Sequence, residues 1–385
     1  MSDFLICGAG VSGLLVAREL LAGGASVTIL ERAVSGREAS WAGGGIVSPL
    51  YPWRYDDAVT ALASYAQHAY PALCSALLQE SGIDPELTVT GLLMLDADDH
   101  HEAITWADEK KHRMESLDAS RITQRVPGLA AGFERGLWMP DIANVRNPRL
   151  MKALRAAILA NDGAQLIENC EVRGFTSTEN GGVATVTGVE AQVDGQRRTF
   201  QAGQYVVTAG AWSGDLLRPM GIQMPIEPVK GQMLLYKAEP GFLDSIVLTR
   251  GRYLIPRRDG HILLGSTLEY RGFDKTPEQQ ARQSLHDSAV SMMPALADMP
   301  VVMHWAGLRP GAPAGVPFIG TLPHYANLHI NAGHFRNGLV LAPAAAGLLA
   351  DLLLGRAPRL DAAPYAPLHR LPSHSPVSQS GDTMP

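Results

Sequence analysis

The stretch FLICGAGVSGLLVAREL carries Gly8, Gly10 and Gly13 in GxGxxG spacing, with Val11 and Ser12 at the head of a helical pattern. Glycines so spaced suit anion binding. The first permits a tight turn, the second lets backbone amides approach a pyrophosphate, and the third packs the helix on its strand, while the helix N-terminus stabilises the negative charge. Glu31, with Arg32 beside it, ends the next β-prone run, where a carboxylate can accept ribose hydroxyls. The spacing points to a dinucleotide and does not separate FAD from NAD.

Other residues suit a charged small molecule. In REASWAGGGIVSP, which includes Ala39, the Ser40 hydroxyl can donate to a phosphate, and Gly43, Gly44 and Gly45 let a backbone pass against a flat ring. Arg309 stands among Gly307, Pro310 and Gly311 in an otherwise apolar run, and a guanidinium fork matches a carboxylate bidentately where a lysine does not. No His/Asp pair or carboxylate dyad stands out. Cys7, Cys74 and Cys170 form neither a CxxC pair nor a metal-ligand spacing, so we expect free thiols, no metal and a reducing, cytoplasmic setting.

These residues need a scaffold. Residues 3 to 7 read as a buried strand, 11 to 22 as a helix stopped by Gly23 and Gly24, and SVTILE from Ser26 as a second strand. A loop is expected after Glu31, then helices over 57–80, 99–116, 148–161 and 276–293. Strand signal lies in LTVTGLLMLD and in MLLY, RYLIPR and HILLGS, and a meander runs from about 164 to VVTAGAWSG. At 385 residues, two domains are expected. A net charge of −6 with no Lys/Arg run argues against a nucleic-acid partner. GLVLAPAAAGLLADLLLG is interrupted by Pro343 and Asp351, which argues against a membrane span. The Ser/Pro-rich end reads as disordered.

The acid ending the second strand, followed by REASWAGGGIVSP, resembles the D-amino acid oxidase and glycine oxidase family of flavoproteins. VVTAGAWSG, PVKGQM, YLIPRRDGHILLGST, WAGLRPGAPAGVPFIG and NAGHFRNGLVLAPA are similar, in chain order, to the glycine oxidase branch. The resemblance runs from residue 4 to about 355. It implies an α/β (α+β) fold, a Rossmann-like FAD-binding domain (1–85, 145–215 and 305–365) interleaved with a substrate domain on an antiparallel sheet (86–144 and 216–304), ahead of a disordered tail at 366–385. It implies FAD, with Val172 at the adenine and His334, Phe335, Arg336, Asn337, Gly338 and Leu339 near the flavin, where the N-terminal amides of a helix beginning about Leu339 can stabilise negative charge on the ring. It also assigns the substrate carboxylate to Arg309 and Tyr253, with Arg336 nearby, although periodicity alone would make Tyr253 core.

The reaction so implied is oxidative deamination of glycine, sarcosine, D-alanine or D-proline, with O2 reduced to H2O2 and glycine imine supplied to thiamin thiazole synthesis. Sarcosine or D-proline oxidase, a quinone-linked D-amino acid dehydrogenase and an RNA-modifying flavoprotein stand as alternatives, the last weakened by the acidic balance. Gly251 and Leu268 depart from the branch pattern, which has a histidine and a methionine at those pocket positions. The cysteine or histidine of covalently attached flavins has no counterpart, so dissociable FAD is expected. Homo-oligomers are common in the family, and the sequence carries no self-complementary signature.

Overall fold

The computed structural model describes residues 1–371. A six-stranded sheet runs in the order Phe318–Thr321, Leu328–Ala332, Ala202–Val207, Ser2–Cys7, Val27–Leu30, Ala164–Ile167. Its pairs are parallel except the first, which is antiparallel. The chain leaves Ser2–Cys7 toward Val27–Leu30 and later returns on the other side as Ala202–Val207. That reversal opens a crevice at the carboxyl end of Ser2–Cys7, where this sheet type takes its ligand.

Helices Val11–Ala22, Asp57–Ser81, Asn147–Leu159 and Gly338–Leu353 share one apolar core with this sheet. A three-stranded antiparallel sheet, Cys170–Asn180, Val183–Val193 and Gln196–Phe200, contributes to the core on the opposite side. Phe335–Leu353 is long and apolar enough to cross a membrane, yet 72% of its apolar 18-residue window is buried inside the protein. Its hydrophobicity is that of a central core helix packed against Val11–Ala22 and Asp57–Ser81.

The second large sheet has eight strands, ordered Val301–Gly311, Glu227–Lys237, His261–Gly265, Arg252–Pro256, Ile246–Thr249, Leu92–Leu95, Arg135–Met139, Glu115–Asp118. Only Ile246–Thr249 and Leu92–Leu95 pair in parallel. The long strand Val301–Gly311 belongs to this sheet throughout its length, so a boundary at 305 would cut through a strand.

Several local expectations need correction. The stretch after Glu31 is not all loop, since Ala39–Ala42 forms a helical turn. The expected strand at 87–96 is two strands, Thr88–Val89 and Leu92–Leu95, separated at Gly91, whose φ is +65°. The helix expected to reach 116 ends at Lys110, because Lys111 turns left-handed, and Glu115–Asp118 is a strand. The tail is ordered at its start: Pro367–Arg370 is helical, and Arg370 donates to the carbonyls of Pro317 and Val316 at 2.6 and 2.9 Å. The remainder of that expectation, 372–385, lies outside the described residues.

Candidate active site

The glycine turn sits at the mouth of the crevice. Gly8 adopts φ +113°, and a Cβ there would stand 2.6 Å from the Thr208 carbonyl oxygen. A Cβ on Gly13 would stand 1.9 Å from the Gly8 carbonyl oxygen, so this glycine packs the helix onto the turn. The Val11 amide donates to Ser40 Oγ at 2.9 Å. The serine expected to meet a phosphate therefore also caps the helix start, and its hydroxyl hydrogen remains free to donate. Glu31 is buried and accepts from the Ala9 and Ala33 amides at 2.9 and 3.1 Å. Burial raises its pKa while the two amides oppose that shift. A carboxylate offers about four lone-pair sites, so two amides leave room for hydroxyl donors.

From this turn a cavity of about 420 Å³ extends between the two large sheets. Every residue assigned to cofactor or substrate from the sequence lines it except Gly13, which works behind the wall, while Gly251 and Leu268, aligned with pocket positions of the branch, lie outside its lining and Leu268 is exposed. Ala39–Ala42 is pinned to the arginine-bearing strand: Trp305 Nε1 donates to the Ala42 carbonyl at 3.1 Å, and Trp41 packs edge-on to Trp305. Arg257 steadies the glycine run, donating to the Gly44 carbonyl at 2.7 Å and to Asn144 Oδ1 and the Val145 carbonyl at 2.6 and 2.9 Å. Burial pulls its pKa down to about 10, which leaves it a cation at neutral pH.

At the far end stand Arg309, Tyr253 and Arg336. Arg309 donates to Ser266 Oγ at 2.7 Å and to the carbonyls of Thr267 and Lys230 at 3.2 and 3.3 Å. Among the described residues no carboxylate pairs with it. Burial lowers its pKa, Tyr253 and the more distant Glu269 charge counter that effect, and Arg336 adds to it, so Arg309 feels both of its cavity neighbours. The Tyr253 hydroxyl is buried and has the Met233 thioether 3.5 Å away, a weak acceptor that leaves the O–H available. Arg336 is exposed, on the 3-10 turn Phe335–Asn337 that leads into Gly338–Leu353.

Gly231 is the seat of the Arg309 guanidinium. It faces Gly307 across the sheet, and a Cβ on it would lie 2.2 Å from both terminal nitrogens of Arg309. The guanidinium therefore lies against bare backbone. A glycine inside a strand, as in PVKGQM, is the signal that marks such an approach. Trp212, Glu38, Met233 and Ser266 also line the cavity without having been singled out.

Residues 3–352 match the family model described as DAO, FAD dependent oxidoreductase. The chain belongs to that family. It is 53% identical to a glycine oxidase of Pseudomonas aeruginosa over 95% of this chain and 99% of that one. It is 32% identical to the bifunctional protein ThiO/ThiG of Trichormus variabilis, matching 91% of this chain and about half (52%) of that protein. The fold follows the crystal structure of glycine oxidase from Geobacillus kaustophilus with a TM-score of 0.88 at 28% identity, covering 97% of this chain and 99% of that one.

This member of the FAD-dependent oxidoreductase family has a cavity suited to its cofactor. Buried polar atoms on cavity-lining residues have no partner within the protein: Asn147 Oδ1, both side-chain atoms of Asn331, His334 Nε2 and Asn337 Nδ2. Buried polar groups are ordinarily satisfied, so such a set marks the bed of a polar ligand. Together with the glycine turn and the Glu31 carboxylate, it fits a dinucleotide.

Proposed function

We propose that this chain oxidises glycine and other small amines bearing a carboxylate, sarcosine, D-alanine and D-proline among them, using O2 and releasing H2O2. The observation carrying this reading is Arg309: a guanidinium held by neutral oxygens only, facing the cavity beside the Tyr253 hydroxyl. A cation so placed calls for an anion, and the guanidinium fork fits a carboxylate. The likeness to glycine oxidases gives the substrate class.

In this reading the nucleotide half of FAD rests on Gly8, Gly10, Val11, Ser12, Glu31, Arg32, Ser40 and Val172. The flavin half rests on Ala39, Gly43 to Gly45 and the run His334 to Leu339. When bound, FAD supplies the two-electron acceptor. The protein's task is position: Arg309 and Tyr253 fix the carboxylate, which aims the α-hydrogen, and Met233 gives the pocket an apolar wall. The amine must be neutral for its lone pair to assist loss of a hydride equivalent. The imine then hydrolyses, and glycine yields glyoxylate and ammonia.

FAD is held without a covalent bond in this reading. Cys7 and Cys170 line the cavity, but burial raises both thiol pKa values, that of Cys170 to about 11, so neither is a thiolate at neutral pH. We assign the enzyme to a reducing interior and its imine to thiazole synthesis, a role supported by the likeness to ThiO/ThiG.

The test is steady-state kinetics with glycine. Arg309→Ala should raise KM by about 30-fold or more, since removing one partner of a desolvated charge pair costs about 2–5 kcal/mol. In the wild type, kcat/KM should rise with pH through the amine's titration. Wild-type kinetics in the variant would remove the basis of the assignment.

A further inference from the structure

The segment joining the strand His261–Gly265 to the helix Gln279–Met292 serves the amine reaction only through Ser266 and Thr267, which hold Arg309. Its ends are anchored from below. At the two ends the buried Lys230 donates to Glu278 at 2.9 Å and lies 3.9 Å from Glu269, and in mid-segment Asp274 comes within 3.5 Å of the same ammonium. Gln232 accepts from the Glu278 amide at 2.8 Å and donates to Glu269 at 2.9 Å. Burial pulls the Lys230 pKa down, but the Glu278 hydrogen bond and the three carboxylate charges outweigh it, so the anchor stays charged.

Between these anchors residues 270–277 are exposed. The tip crosses to the other large sheet through side chains. Phe273 stacks on Trp212 with ring centroids 5.5 Å apart, and the same indole carries the Arg32 guanidinium 3.6 Å from its centroid. Lys275 Nζ lies 2.9 Å from both Glu38 oxygens, and Glu38 also takes Arg32 at 2.5 Å. Arg32, Glu38 and Trp212 line the cavity at its nucleotide end, beside Glu31.

We propose that residues 270–277 form a cofactor strap: Phe273 and Lys275 close it over the nucleotide half of FAD by gripping Trp212 and Glu38, and it swings open for FAD to enter or leave. The tip contacts join partly exposed side chains and are individually weak, and the half-exposed Asp274 meets Lys230 only at 3.5 Å, whereas the ends are held by the fully buried Lys230 and Gln232, so the tip releases while the ends hold. A strap slows entry and exit together. A side chain that merely touches the ligand acts mainly on exit. The proposal rests on FAD occupying this cavity.

The experiment uses the FAD-loaded enzyme and its Phe273→Ala, Lys275→Ala and double variants. FAD release is followed by the rise in free-flavin fluorescence on dilution, and reloading of the apoprotein by its quenching. The double variant should release FAD about ten-fold faster, the loss of a stack and an exposed ion pair, and should also reload faster. Lys275→Arg should stay near the wild-type rates. Added salt should speed release in the wild type and much less in Lys275→Ala. Because both side chains are exposed, apoprotein melting should not change. Release at the wild-type rate, or faster release with unchanged reloading, overturns the strap. A wild-type protein that takes up no FAD overturns the cofactor reading instead, before any variant is made.

Discussion

The sharpest residue-scale constraint falls on Arg309 and the glycine beneath it. Because a Cβ on Gly231 would lie 2.2 Å from the guanidinium, Gly231→Ala should push Arg309 out of place and raise KM for glycine while the protein still folds. An unchanged KM with normal melting would show that the guanidinium does not need that seat. Tyr253→Phe should raise KM as well, by about 10- to 100-fold, since a hydrogen bond to a charged group contributes about 1.5–3 kcal/mol. A larger rise than in Arg309→Ala would make the tyrosine, not the arginine, the main anchor of the carboxylate. Arg309 was legible in sequence because a lone cation in an apolar run is conspicuous. Gly231 was not, because its role depends on cross-strand register, with Gly231 facing Gly307 and Val229 facing Arg309. Tyr253 carried no periodic signal that set it apart from core, and only family likeness lifted it.

Among the elements, the strand, glycine turn and helix at the start were readable to within a residue, since the turn glycines and the apolar periodicity agree. Gly13→Ala tests that unit: its Cβ would meet the Gly8 carbonyl oxygen at 1.9 Å, so the variant should purify without flavin colour. A yellow, FAD-loaded Gly13→Ala protein would contradict the assigned geometry. Local signals mislead where tertiary contacts outweigh local preference. Ala39–Ala42 forms a turn against Trp305, and the helix from His100 ends at Lys110 because Lys111 turns left-handed, a conformation no glycine announces there. Pro367–Arg370 sits in a Pro-rich stretch but is held by Arg370 on the Val316 and Pro317 carbonyls. Such partners lie far away in sequence.

For the whole molecule, the parallel sheet, its helices and the antiparallel sheet close around one cavity, and their stability has a pH signature. His329, buried between strands, donates from Nε2 to Gln204 Oε1 and meets the Thr321 hydroxyl at Nδ1, and burial depresses its pKa to about 4. The unfolded histidine titrates near 6.5. Between those values the unfolded chain binds a proton that the folded one does not, so stability is intact above about pH 6.5 and declines as pH falls toward 4, by at most about 1.4 kcal/mol per pH unit for this group. Melting of the wild type should drop over that window, and His329→Gln should flatten the drop; an equal slope in the variant would assign the acid sensitivity elsewhere. Whether the cavity as a whole oxidises glycine is decided by mixing the FAD-loaded protein with glycine in the absence of oxygen, following the flavin absorbance, then admitting air and measuring peroxide. Bleaching by glycine and stoichiometric peroxide on aeration are expected. Flavin that stays oxidised with glycine and with sarcosine, D-alanine and D-proline would contradict an amine oxidase built on Arg309 and Tyr253.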